Sequence, residues 1–217
     1  MALAQYSDLK TAIQNWSTLT STTYTDRVDE IILLCEQRIA YGDDAIGAEP
    51  LRVRAMESTS DLTITTQTTA LPTGFLYSRG LYINTNNKVD LEYMVPDRFW
   101  SSRAGAQTTA GEPEIYTIEG ENIIVAPSPD ATYTAKLLAY LKLTGLSTGN
   151  TTNWVILNAP SIYLYGCLLE QAIFDNNDME IKKQASLFTG AINAVNKQDK
   201  KARYSGSPLS VRVDSTP

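Results

Sequence analysis

Apolar positions recur along this chain at two periods, and each change of period marks a change of element. Near the start, Leu9, Ile13 and Trp16 stand at i, i+4 and i+7, the stripe of a short helix beginning near Ser7, a favourable N-cap. After the segment STLTSTT, Thr23 and Asp26 read as a capping pair, and Val28, Ile31, Ile32, Cys35 and Ile39 form the stripe of a second helix ended by Gly42. Between Gly111 and Leu143 the period drops to two. Ile115 and Ile118, then Ile123 and Val125, mark two short strands around Gly120, which supplies the positive φ of a tight turn. Pro127 and Pro129 have no N–H to donate and stop the pairing. In a third, longer strand Tyr133, Ala135, Leu137, Ala139 and Leu141 share one face, while Thr134, Lys136, Tyr140 and Lys142 lie mostly on the other.

The helical period then returns. Pro160 suits a first helical turn, and Ile162 to Phe174 is apolar nearly all round, with Gly166 allowing close approach by a neighbour. Asn177 and Glu180 form a capping box for a last helix. In it Ile181, Ala185, Phe188, Ile192 and Val195 recur at alternating four and three residues, a coiled-coil-like seam of two heptads. The seam reads either as a contact inside the chain or as one that also meets a neighbouring subunit. The fold class is therefore α+β, a helical bundle built from the N- and C-terminal helices with an inserted antiparallel β domain and an extended C-terminal tail. The expected divisions are 1–50 and 146–203 for the bundle, 51–145 for the β domain and 204–217 for the tail.

That tail, YSGSPLSVRVDSTP, is too short and polar to fold alone, and Gly206 and Pro208 break any continuation of the helix. Leu209, Val211 and Val213 nevertheless alternate with Ser210 and Arg212, a pattern able to add as a strand to a partner's exposed edge; the plainer reading is a loose terminus. Just before it stand Lys197, Lys200, Lys201 and Arg203, which as basic residues favour a helix C-terminus.

Composition narrows the function. With 217 residues and 43% apolar positions the chain can bury a sizeable core without staples. Only 19% of residues are charged, which favours assembly interfaces over open solvent, and the net charge of −6 opposes nonspecific binding to DNA or anionic membranes. Cys35 and Cys167 sit among apolar residues as small buried hydrophobes rather than as an evident disulfide. No leader pattern and no apolar run approaching about 18 residues appears, so a protein kept in a cytoplasm, or built into a particle there, is expected.

The chain has no histidine, which removes Ser-His-Asp, Cys-His and His-containing zinc chemistry, and two distant cysteines make no metal site. Gly-rich phosphate loops are missing. The remaining candidates for catalysis are Glu112 with Glu114, Glu119 with Glu121, and Asp43 with Asp44; their turn and strand-edge positions suit solvated carboxylates. Neither enzyme activity nor a cofactor or metal is expected.

Six pieces in a fixed order carry a resemblance: Leu71-Pro72 feeding a strand, Pro96-Asp97-Arg98-Phe99, Gly111-Glu112-Pro113 with Tyr116, Pro127-Ser128-Pro129-Asp130, a tyrosine-bearing strand with Tyr140, and Asn153 through Pro160 leading into an apolar helix. Over roughly Leu71 to Asn177 this resembles the head-to-tail adaptor (connector, or neck) proteins of short-tailed bacteriophages, although that family's strand often has paired aromatics where this chain has only Tyr140. The resemblance implies a structural virion protein that binds the portal protein at the head vertex. It implies a twelve-subunit ring that extends the DNA channel until ejection and offers a platform to a tail or nozzle protein, with DNA passing through without sequence-specific binding and no membrane involved. It also places the tail residues Leu209, Val211, Arg212 and Val213 on the portal, with Lys197, Lys200, Lys201 and Arg203 near that contact. A negative lumen, letting the duplex slide, fits the net charge. The alternative is a β-rich tail or baseplate module contacting glycans, with Tyr77, Tyr82, Tyr93, Trp100 and Trp154 as stacking residues.

Overall fold

The structure, a computed structural model, describes residues 3–17, 22–83, 89–102 and 109–204. These residues form six helices and seven strands. The helices are α1 (Tyr6–Ser17), α2 (Thr22–Tyr41), α3 (Pro96–Ser101), α4 (Trp154–Asn158), α5 (Pro160–Phe174) and α6 (Asp178–Tyr204). The strands are β1 (Glu57–Ile64), β2 (Thr68–Ala70), β3 (Phe75–Ile83), β4 (Val89–Tyr93), β5 (Ile115–Glu119), β6 (Asn122–Ala126) and β7 (Tyr133–Leu141). Backbone contacts divide the chain into two compact units, residues 55–143 and residues 1–54 with 144–217.

All seven strands form one sheet in the order β1-β7-β3-β4-β5-β6-β2. Because β1 and β2 lie at opposite ends of that order yet are joined by residues 65–67, the sheet must curl until its edges meet, and it is nearly closed. Alternation on β7 sends Ala135, Leu137 and Ala139 inward to Ile64, Leu81, Ile83, Leu91, Tyr116, Ile123 and Val125. At the tight turn between β5 and β6, Gly120 has φ +58°.

Two expectations are corrected in this unit. The sheet is not wholly antiparallel, since β4 and β5 run parallel with Glu92 opposite Ile115; the crossover between them carries α3. Ile115 and Ile118 also do not share a core. Tyr116 and Ile118 face the interior, whereas Ile115 joins Ile124, Ala126 and the buried Phe99 of α3 in a second cluster. Both faces of β5 and β6 are therefore covered, which removes the simple alternation that a one-sided strand would show.

In the other unit α5 is the central element, packed by α1, α2, α4 and α6. The predicted stripe of α2 is buried at all five positions. Gly166 lets three helices meet: a Cβ there would run into Cys35 Sγ of α2 and approach Phe188 Cε2 of α6 to 2.9 Å. Gly42, at φ +78°, ends α2, and its N–H bonds the Arg38 carbonyl at 2.8 Å. Cys35 and Cys167 are buried free thiols, and burial, followed by the neighbouring Cys167, pushes the Cys35 thiol well up.

Here too the sequence reading shifts. Helix α1 begins at Tyr6, with the Gln5 carbonyl accepting from Leu9 N at 3.1 Å, so Ser7 lies inside the first turn. Tyr6 is buried, its hydroxyl donating to Asp29 of α2, and this anchor sets the helix start. Trp16 lies outside the core. On α6 the fully buried positions are Gln184, Phe188, Ile192 and Asn196, while Ile181, Ala185 and Val195 are half-buried. Asn196 fits because both ends of its amide are bonded: Oδ1 accepts from Arg52 N at 2.9 Å and Nδ2 donates to the Pro50 carbonyl at 3.1 Å. The Thr23 and Asp26 side chains lie outside the described ones.

Candidate interaction surfaces

The basic cluster occupies the last turns of α6, where Lys197, Lys200 and Lys201 stand at i, i+3 and i+4 and are exposed on one face. Arg203 turns away from them. Its Nε donates to Asp199 Oδ2 at 2.8 Å, and Asp199 Oδ1 accepts both N and Nε of Arg54 at 3.2 Å. Burial alone would raise the Asp199 carboxyl; the bonds from Arg203 and Arg54 outweigh it and hold the group below the usual carboxylate range. Three lysines are thus presented to solvent while the arginine braces the helix. The tail residues Leu209, Val211, Arg212 and Val213 lie outside the described residues.

A second surface is the outer side of α2. Glu30, Leu33, Leu34, Gln37 and Tyr41 recur at helical spacing opposite the buried stripe and are exposed, with Leu33 at 52% and Tyr41 at 65%. Opposite its buried stripe the helix thus holds Leu33, Leu34 and Tyr41 exposed between the polar Glu30 and Gln37. The doublet Leu33-Leu34 was the available signal, since only one helical face can account for the stripe at 28, 31, 32, 35 and 39.

A cleft of about 360 Å³ opens where the ends of α1 and α5 meet the start of α6. Trp16, 61% exposed, stands at its side, and Leu168, Ala172 and Leu187 give it an apolar lining. Gln171 and Gln184 also line it, buried to 5% and 6% exposure, and the Oε1 atom of each has no hydrogen-bond partner. Leaving such an acceptor unpaired costs about 1–3 kcal/mol. The Gln184 amide is oriented by Nε2 donating to Glu180 Oε2 at 3.2 Å, so its carbonyl is the end left over. Glu180 also receives Lys183 Nζ at 3.2 Å, and its backbone N–H is capped by Asn177 Oδ1 at 3.3 Å, but the return half of the expected capping box is not made, since the Asn177 N–H bonds the Ala172 carbonyl at 3.0 Å. Neither glutamine interrupts the apolar pattern strongly enough to be read from the sequence as buried.

The polar interior of this unit holds helices and loops together. Glu36 is buried, and its Oε1 accepts from Leu146 N at 2.6 Å and from the Tyr163 hydroxyl at 2.9 Å. Asn153 donates to that hydroxyl at 2.6 Å and caps α4 through Ile156 N at 3.1 Å. Arg38 pairs with Glu170 and Asp43, tying the end of α2 to α5. These carboxylates are consumed by structure. Of the pairs weighed for catalysis, Asp43 is bound to Arg38 and caps Ala45 N at 2.9 Å, and Glu119 accepts from Trp100 Nε1 at 2.6 Å. Among the described residues no group of His, Cys, Asp and Glu is placed to hold a metal ion, and no helix is long and apolar enough to cross a membrane.

Of the aromatic residues considered for ligand stacking, Tyr77, Tyr82, Tyr93 and Trp100 belong to the β unit and Trp154 to the helical unit. Tyr77, Tyr93 and Trp100 are exposed in the β unit, but Tyr93 packs edge-on against Tyr116 at 5.4 Å and Trp100 against Phe99 at 5.1 Å. Tyr82 is half-buried, and Trp154 lies half-buried beside Ala194 and Val195 in the helical unit. No curated protein matches the chain. The family model for the SU10 adaptor protein matches it over residues 4–212.

Proposed function

Because the chain belongs to the SU10 adaptor protein family, structural adaptors of bacteriophages, we propose that it assembles as a ring beneath the portal at the head vertex, prolongs the DNA channel and presents the platform on which the tail or nozzle protein docks. The match across residues 4–212 carries this reading, because it takes in both the helical and the β unit. In this proposal the work is assembly: copies are added in the host cytoplasm, twelve to a ring, and DNA passes through the lumen without sequence-specific contact.

A closed ring of identical chains needs two different, complementary side surfaces on each copy. The outer side of α2 supports one of them, since Leu33, Leu34 and Tyr41 form an exposed apolar strip on a helix whose other face is already buried. The bundle of N- and C-terminal helices is in this reading the ring wall. Residues 204–217 dock on the portal through Leu209, Val211, Arg212 and Val213, adding to a strand edge. Lys197, Lys200 and Lys201, exposed at the end of α6, supply positive charge next to that contact.

Electron microscopy of the purified chain mixed with its cognate portal ring, full length beside a version ending at Arg203, tests the proposal. A closed ring on the portal with the full chain and none with the shortened one is expected. If neither binds, the portal role is wrong; if both bind alike, the tail is not the docking element.

A further inference from the structure

Of the three buried side-chain oxygens without a hydrogen-bond partner among the described residues, two are carried by side chains that line the cleft beside Trp16: Oε1 of Gln171 and Oε1 of Gln184. Both are acceptors. Around them stand the carboxylates of Asp175 and Glu180, while the cation on the same lining, Lys183, is already bound to Glu180. A helix N-terminus attracts anions, but at the start of α6 Asn177 takes the N–H of Glu180, and Asp178 and Glu180 bring negative charge to the first turn. What the two oxygens lack is a donor, and the charges on the lining, Asp175 and Glu180 against Lys183, leave it net negative.

We propose that this cleft receives an arginine side chain presented by a segment of a partner protein. A guanidinium is planar, carries five donors and stacks on aromatic faces, so it can lie against the exposed Trp16 indole while its N–H groups reach the acidic rim and, once its amide turns outward, the Gln171 carbonyl. Rotation of the Gln171 amide about its last torsion turns the carbonyl toward the guest without moving the backbone. A lysine ammonium is more strongly hydrated and has no planar face to set on the indole. The inference does not rest on the ring or portal contacts proposed above.

The test is NMR of the ¹⁵N-labelled full chain titrated with acetyl-Gly-Arg-Gly-amide, beside the same peptide carrying lysine or citrulline. Saturable shifts of the Trp16 indole N–H and the Gln184 side-chain amide are expected with arginine, about tenfold weaker binding with lysine, and none with citrulline. Gln184→Leu removes an unpaired oxygen from a buried site, so it should keep or raise the melting temperature while weakening the arginine peptide about tenfold. Absence of a saturable shift, equal binding of the three peptides, or a Gln184→Leu variant that binds unchanged would each overturn the proposal. So would concentration-dependent self-association that moves the same resonances without peptide, which would make a second copy the occupant.

Discussion

At the scale of single residues, the close approaches set the sharpest expectations. Gly166→Ala gains helix propensity, yet its new Cβ meets both Cys35 and the Phe188 ring, neither of which sits at a free chain end. Overpacking should win, with a net loss of about 1–3 kcal/mol measurable by urea or thermal unfolding. Asp199 gives a pH dependence with a definite sign. Its folded-state affinity for protons is depressed, so its contribution is complete above the unfolded carboxylate range and disappears as pH falls through its folded value, in acid below about 4. Asp199→Asn should therefore lose about 1–2 kcal/mol at pH 7 and show a flatter stability profile between pH 5 and 3 than the parent. A variant whose profile runs parallel to the parent's would show that the Arg54 and Arg203 bonds contribute nothing.

At the scale of elements, α2 and α6 divide their surfaces differently. Helix α2 buries its apolar stripe and holds Leu33, Leu34 and Tyr41 exposed, so Leu34→Lys should leave the melting temperature of the free chain nearly unchanged, within about 0.5 kcal/mol, while abolishing ring formation seen by native mass spectrometry. Unchanged rings would move the subunit contact off this helix. Helix α6 starts from the Asn177 cap, and Asn177→Ala should cost about 1 kcal/mol of stability. The stripes of α2 and α5 and the β5–β6–β7 meander were readable because period and breaker agreed: Gly42, Gly120 and Pro160 each stand where the apolar pattern stops or begins. On helix α6 Phe188 and Ile192 are buried as the spacing predicts, but Gln184 and Asn196 are buried in place of their neighbours Ala185 and Val195. A polar residue there is legible as buried only once its partners are known, and those of Asn196 are backbone groups of residues 50 and 52, far away in the chain.

At the scale of the whole molecule, a chain of net charge −6 gathers three exposed lysines, 197, 200 and 201, at the end of α6. If they steer the portal contact, association should weaken as salt rises, and replacing all three by Gln should remove most of that salt dependence without lowering the melting temperature; sedimentation with the portal ring across a salt series reads both. A ring whose lumen proved to be lined mainly by Lys and Arg would contradict the negative channel expected from net charge. By itself the sequence determined the class of elements, their punctuation and the adaptor resemblance, because these follow from local spacing and from the order of turn motifs. Only the tertiary structure decided that β4 and β5 run parallel, that α3 covers the outer face of β5, that Trp16 stands beside a cleft and that two glutamine oxygens are buried without partners. Those facts depend on which distant segments meet, and neither hydrophobic period nor turn chemistry encodes that.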